Sequence, residues 1–177
     1  MIIFDMMIKI QSMTRNALIA SLYVVLTLTP PLNAISFYAI QFRISEALLI
    51  LVWFRKDYAI GILIGTFFAN IFGPLGAGFA WLDAVFGTLT TLIALWLMTH
   101  VKSRLIGLLA PVLFNGLYLA IFLPLALALP YTLELITITL LTVSIGEAVV
   151  VYGLGVPLSL LIEKQPYLLK LLRNIDS

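Results

Sequence analysis

The chain has 177 residues, of which 63% are hydrophobic and only 10% charged, and its mean hydropathy is +1.16. A soluble domain carries about a quarter charged residues, so this chain has too few to cover a water-facing surface, and lipid must cover it instead. The net charge of +2 gives no basis for nucleic-acid binding, and the absence of cysteine excludes disulfides, thiol chemistry and cysteine-ligated metals.

A bilayer core needs roughly 20 apolar residues per helix, with a working range of about 17–25. The N-terminal stretch Met1–Lys9 is apolar with few charges. It reads as a short amphipathic helix along the inner interface or as a disordered segment. It does not read as a cleaved signal peptide, because no charged region precedes its apolar part. The first span is expected over residues 16–32, ended by Pro30-Pro31. The second covers 37–54 and stops at Arg55-Lys56-Asp57. The third covers 58–72 and ends at Gly73-Pro74. The fourth, 79–98, is closed by His100, Lys102 and Arg104. The fifth, 105–129, is closed by Pro130, and the sixth, 135–162, by Glu163-Lys164.

The second and third stretches are short. Pairing them as a re-entrant hairpin would leave Arg55, Lys56 and Asp57 near the bilayer centre, at about 2.5–3.5 kcal/mol each. Two short or locally thinned spans are cheaper. The chain therefore reads as an all-α membrane protein, a six-transmembrane-helix bundle forming a single membrane domain over 1–177. With six spans and a cytoplasmic N-terminus, the inside receives Lys9, Arg15, Arg55, Lys56, Lys102, Arg104, Lys164, Lys170 and Arg173. The outside receives only Arg43. Both termini are accordingly expected in the cytoplasm, in a cell-membrane protein.

Ionisable groups within membrane segments are expensive and are functional candidates by default. The non-cytoplasmic ones are Arg43, Glu46, Asp83, Glu134 and Glu147, joined by the amides Gln41, Asn70 and Asn115. Placed by depth at about 1.5 Å per residue, all fall in the outer half of the bundle or at its midplane. A continuous pore or a proton relay would need polar groups along the whole path, so the pattern describes a pocket open outward and sealed inward. Each residue also has a plainer role available. Arg43 and Glu46, three apart, can neutralise each other. Asp83 can anchor its helix near the headgroups, Glu134 can be solvated in a loop, and Asn115 can bond a neighbouring helix. Glu147 is the hardest to dismiss, because it sits between Gly146 and Ala148 with no basic residue at its depth. Phe37, Tyr38, Phe42 and Tyr118 lie where they could line a pocket or simply pack. Trp81 suits either a pocket wall or an interface belt, and Trp53 and Tyr131 suit the belt.

Small residues at Ala17-x-x-x-Ser21 and Gly61-x-x-x-Gly65 make flat helix faces, one suited to internal packing and the other to an external partner. No G-x-x-x-x-G-K-[ST] phosphate loop is present, so ATP-driven work would come from a partner. Neither H-E-x-x-H nor G-x-S-x-G occurs, and no nucleophile–base pair can be named, so the chain is not read as an enzyme. No cofactor or metal site is expected.

The block Gln41-Phe42-Arg43-Ile44-Ser45-Glu46-Ala47-Leu48 resembles the QueT family, the substrate-binding (S) components of energy-coupling factor transporters assigned to queuosine precursors. The resemblance continues through Ala69-Asn70-Ile71-Phe72-Gly73-Pro74-Leu75-Gly76 and Trp81-Leu82-Asp83-Ala84-Val85-Phe86-Gly87-Thr88. It resumes at Phe114-Asn115-Gly116 and Gly146-Glu147-Ala148-Val149-Val150. The resemblance implies a six-helix S-component fold, an external pocket, and a complex with a transmembrane coupling subunit and two ATPase subunits. It also implies that Ala17-x-x-x-Ser21 stands where many S components carry an A-x-x-x-A docking face.

The ligand chemistry that the resemblance implies fits these residues. A 7-deazaguanine presents a ring N–H beside an exocyclic amine, which one carboxylate accepts as a bidentate pair. Glu147 is the first choice and Asp83 the second. Asn115, Asn70 or Arg43 could donate to the ring carbonyl. Phe42, Tyr38 or Trp81 could stack on the base, and Gln41 enters from the same outer end. An aminomethyl substituent would be cationic and would call for a second acid, Glu46 or Asp83. A different vitamin or purine-like base, or a small membrane enzyme or assembly factor, remains open as an alternative.

Overall fold

The computed structural model describes residues 2–36, 41–73 and 77–173, with side chains over 10–32, 34–36, 41–73 and 79–172. Among them every regular element is helical. In chain order these are α1 (Ile2–Leu28), α2 (Leu32–Ser36), a 3-10 helix (Ile44–Trp53), α3 (Tyr58–Ile71), α4 (Ala77–His100), α5 (Arg104–Gly107) and α6 (Leu109–Ala126). They are followed by α7 (Leu133–Val150), a π-helical turn (Val151–Gly155), α8 (Val156–Lys164) and α9 (Pro166–Arg173).

Among the described residues, three helical stretches are long and apolar enough to cross a bilayer: Phe79–His100, Arg104–Ala126 and Leu133–Lys164. Ile44–Trp53 and Tyr58–Ile71 are shorter apolar helices. The outward faces of α3, α4, α6 and α7 carry large exposed hydrophobics, among them Ile60, Phe68, Phe86, Trp96, Ile121, Leu141 and Val149. This is a multi-pass membrane protein, with lipid as the solvent of those faces.

The helix ends follow local chemistry. The α1 helix stops at Leu28, short of the expected Leu32, because a residue before proline is pushed out of the helical region. Ala128, with φ 51°, ends α6 in the left-handed conformation. There the Leu129 N–H reaches the Pro124 carbonyl at 2.8 Å and the Ala128 N–H reaches that of Leu125 at 3.3 Å. Thr132 caps α7, its hydroxyl oxygen accepting from the Leu135 N–H at 3.2 Å.

The structure corrects two expectations. The N-terminal residues are neither a separate interfacial helix nor disordered: one helix runs from Ile2 to Leu28. Of the stretch expected as a helix over 37–54, residues 37–40 lie outside the described residues, 41–43 are non-helical, and Ile44–Trp53 form a ten-residue 3-10 helix. Runs of 3-10 helix this long are uncommon. The gain is reach. At about 2.0 Å per residue the 3-10 helix extends roughly 20 Å, where an α-helix would reach about 15 Å. Three stretched residues at about 3.3 Å each bring the total near the roughly 30 Å of a bilayer core. Irregular backbone at membrane depth is tolerated only inside protein, and here Ser45–Val52 are all buried. The segment is enclosed by α1, α3, α4, α7, α8 and the π-helical turn.

A core cluster that includes Trp53's neighbours Val52 and Phe54, with Met98, Leu108 and Ile162, fills one end of the bundle. That same end carries the basic residues. Arg55 donates to both carboxylate oxygens of Asp57, at 2.8 and 2.5 Å, and holds its carboxyl below the ordinary carboxylate range. Arg104 pairs with Glu163 at 2.5 Å. The Tyr58 hydroxyl donates to the Leu172 carbonyl at 2.8 Å, and the Tyr152 hydroxyl to that of Leu105 at 2.5 Å.

The two small-residue pairs divide their work. Gly61 and Gly65 pack α3 directly on α1. A Cβ on Gly61 would stand 2.6 Å from the Asn16 carbonyl oxygen, and one on Gly65 would stand 2.7 Å from Tyr23 Cβ. Close approach also lets the Asn16 side-chain oxygen accept the Gly61 N–H at 2.8 Å. Ala17 and Ser21 face outward instead. Gly→Ala inside a helix ordinarily stabilises by about 0.5–1 kcal/mol. Gly61→Ala should do the reverse, costing about 1–3 kcal/mol as backbone is forced apart, and thermal unfolding in detergent should show a lower melting temperature.

Candidate functional site

Two features of the fold make a cavity at the end opposite the basic residues. The stretched segment delivers Gln41, Arg43 and Glu46 to the middle of the bundle. Helices around it add side chains at helical spacing: Asn70 from α3, Asp83, Gly87 and Thr91 from α4, Asn115, Tyr118 and Leu119 from α6, and Val143 and Glu147 from α7. Gly146 makes the approach possible, since a Cβ there would meet the Gln41 carbonyl oxygen at 2.5 Å. With glycine, the 41–43 backbone lies against α7 one residue from Glu147.

Seven of the residues expected at a pocket thus share one cavity: Gln41, Arg43, Glu46, Asn70, Asp83, Asn115 and Glu147. Phe42 and Trp81 do not reach its wall. In an extended stretch alternate side chains point to opposite sides, so Gln41 and Arg43 face inward and Phe42 does not. Trp81 precedes Asp83 by two residues, about 200° around the helix, and is 55% exposed on the outer surface. Phe37 and Tyr38 lie outside the described residues. The remaining candidate, Glu134, is exposed in the first turn of α7. His100, at the end of α4, is also exposed, its Nδ1 2.6 Å from the Trp96 carbonyl oxygen.

Tyr118 is the residue that sequence reasoning undervalued. Its hydroxyl donates to Asp83 Oδ1 at 2.8 Å, and its ring stacks on Phe122. Its position three residues after Asn115 was the available signal, since i and i+3 share a helix face. Thr91 and Gly87 follow Asp83 on its own face in the same way.

The bonding around the cavity is uneven. The Tyr23 hydroxyl, wholly buried on α1, donates to Glu46 Oε1. Arg43 Nη1 lies 3.8 Å from the same oxygen. One turn along α1, the Thr27 and Ser45 hydroxyls are hydrogen-bonded at 2.7 Å. The Asn70 amide donates to the Asp83 carbonyl at 3.1 Å. Among the described residues, three of the cavity's acceptors meet no hydrogen-bond donor: Glu46 Oε2, Asn70 Oδ1 and Glu147 Oε1. These residues and Asp83 are at most 3% exposed. The cavity encloses about 10 Å³, room for roughly one water molecule. Admitting anything larger requires its walls to separate.

No group of three or more metal-ligating side chains occurs among the described residues. The arrangement is acceptor-rich and acidic, and it is suited to holding a ligand through that ligand's N–H donors.

Comparison with known proteins gives three findings. The family model described as "QueT transporter" matches residues 13–164. A curated protein from Lactococcus lactis subsp. cremoris (strain MG1363), "Queuosine precursor transporter QueT", is 44% identical over 87 residues. That alignment covers 49% of this chain and 48% of the relative, so the match spans about half of either protein. No solved structure matches the chain.

Tyr23→Phe would remove the hydroxyl that partners Glu46. Losing a buried partner costs about 1–3 kcal/mol, so a lower melting temperature is expected in detergent. An unchanged one would show that this hydrogen bond does not hold α1 to the cavity.

Proposed function

This chain belongs to the QueT transporter family, and from that premise we propose that it is the substrate-binding S component of an energy-coupling factor importer that takes up a queuosine precursor, a 7-deazaguanine derivative. In this reading the chain is a single membrane domain of six spans. The stretched segment 41–54 and α3 serve as the two short ones. Both termini lie in the cytoplasm of a plasma-membrane protein, and the cavity faces outward. The distribution of Lys and Arg supports this orientation. The cluster at Arg55, Asp57, Arg104 and Glu163 then lies at the inner rim.

The observation that carries the reading is the cavity itself. Three buried acids and three amides converge at one end of an otherwise apolar bundle. A polar path through the whole bundle would suit a channel, whereas here the core cluster closes the other end. Glu147 accepts the ring N–H and exocyclic amine of the base, with Asp83 as the second acid. Asn115, Asn70 or Arg43 donates to the ring carbonyl, and Gln41 and Glu46 complete the wall. The relative's printed name supports the substrate class.

The chain carries no phosphate loop, so two ATPase subunits and a transmembrane coupling subunit supply the drive. Ala17 and Ser21 are the proposed docking face on α1. Both are exposed, and the Ser21 hydroxyl donates back to the Ala17 carbonyl at 2.8 Å. That internal bond leaves a flat surface without a free polar donor, as close helix packing in lipid requires.

Two experiments bear on the reading. Glu147→Gln should lose at least about tenfold in affinity for a 7-deazaguanine, about 1.4 kcal/mol, by calorimetric titration; an unchanged dissociation constant would remove Glu147 from the site. Ala17→Trp should abolish co-purification with a coupling subunit while ligand binding persists, and normal co-purification would place the interface elsewhere.

A further inference from the structure

The stretch Leu133–Lys164 is long and apolar enough to cross a bilayer, and Leu160 and Leu161 near its end are exposed. The chain then turns at Gln165, which is extended because Pro166 follows it. Pro166 opens α9, a position where its missing N–H costs nothing. So α9 begins where a membrane-crossing stretch ends. Its eight residues reach only about 12 Å, too short to span a bilayer. They include two basic residues, Lys170 and Arg173, and no acid. The helix is tied back to the basic end of the bundle. Leu169 and Leu172 pack against the core cluster, and the Leu172 carbonyl accepts the Tyr58 hydroxyl at 2.8 Å.

This packing uses only part of the apolar surface. At about 100° per residue, Leu168 and Leu171 form a second apolar face, roughly 100° round the helix from Leu169 and Leu172. They are 40% and 53% exposed. Lys170 lies roughly 130° from either face and is exposed, as is Lys164 at the end of α8. Tyr167, also exposed, stands between Leu171 and Lys170 around the helix. The acids nearby are already held by arginines, Asp57 by Arg55 and Glu163 by Arg104. Among the described residues no acid pairs with Lys164 or Lys170.

The three faces of α9 match three surroundings. One packs on protein. The open leucine face suits acyl chains, and the open basic face suits phosphate groups, with an aromatic ring at the border between them. A helix bathed in water on both open sides would have no use for Leu168 and Leu171. Unmatched lysines beside the end of a membrane-crossing helix attract anionic headgroups.

We propose that α9 lies in the headgroup layer at the basic end of the bundle, with Leu168 and Leu171 in the acyl region and Lys164 and Lys170 on anionic phospholipid headgroups. Through the Tyr58 hydrogen bond, this contact steadies the start of α3. It is separate from the cavity and does not depend on what the cavity holds.

Two measurements test it. The chain has no cysteine, so a nitroxide can be attached at one chosen position of the whole protein. In nanodiscs of phosphatidylcholine and phosphatidylglycerol, a label at Leu171→Cys should be relaxed more by oxygen, which concentrates among acyl chains, than by a water-soluble nickel chelate. A label at Lys170→Cys should show the reverse. Leu168→Cys, on the same face as Leu171, is the second reporter should Leu171→Cys fail to fold. Stronger relaxation by nickel on the leucine face would overturn its immersion in lipid, and is the outcome expected if a protein partner covers that face instead. For the headgroups, thermal unfolding is followed in detergent with added lipid. Phosphatidylglycerol should raise the melting temperature at least about 4 °C more than phosphatidylcholine does. That difference should fall by at least about half in Lys164→Gln/Lys170→Gln, and likewise in about 1 M salt. Equal shifts from the two lipids would overturn the preference for anionic headgroups. An undiminished difference in the double variant would overturn the assignment to these two lysines.

Discussion

The hydrogen bond from the Tyr23 hydroxyl to the Glu46 carboxylate joins the first helix to the head of the central buried segment. A carboxylate this deep is tolerable only when hydrogen bonds or opposite charge meet it. Tyr23 and Arg43 meet one of its oxygens. The Thr27–Ser45 contact one turn further on repeats the attachment. Because α1 is held there, Gly65 can seat α3 against Tyr23. Asn70 near the end of α3 then reaches the Asp83 carbonyl on α4. The polar groups of the cavity are thus positioned by one another across four elements, and Glu46 stands at their start.

Polarity is segregated along the bundle axis. One end holds the acids and amides, and the other holds aliphatic packing closed by the Arg55–Asp57 and Arg104–Glu163 pairs. Lipid gives no hydrophobic push between helices, so close packing and hydrogen bonds must hold the assembly together. The Gly61 and Gly65 contacts and the hydrogen bond from the Gly61 N–H to the Asn16 side chain are that glue.

Much of the cavity's lining was legible in the sequence because burying a polar group in a membrane segment is costly. Gln41, Arg43, Glu46, Asn70, Asp83, Asn115 and Glu147 stood out for that reason alone, and the fold gathers them at one cavity. Direction was harder to read than depth. Phe42 and Trp81 were near the right depth but on the wrong side of their segments, as strand alternation and the 100° helical step dictate. The 3-10 geometry of Ile44–Trp53 left no trace, because a stretch that is apolar and buried all round has no periodicity to read. Tyr118 looked like packing because its ring does pack, and only its hydroxyl reveals the contact with Asp83. The continuity of α1 back to Ile2 was hidden by the sparse, unpatterned composition of the first nine residues.

The stretched segment also sets a length that its residue count does not. Over ten residues, a change from 3-10 to α geometry shortens a helix by about 5 Å and turns one end against the other by roughly 200°. For Ile44–Trp53 that would draw Glu46 about 3.5 Å along the bundle axis and rotate it by roughly 140°, away from Glu147, while Trp53 stayed where Gly107 admits it. The separation between the acidic end and the sealed end is therefore a property of backbone pitch, and the cavity exists only while that pitch is maintained.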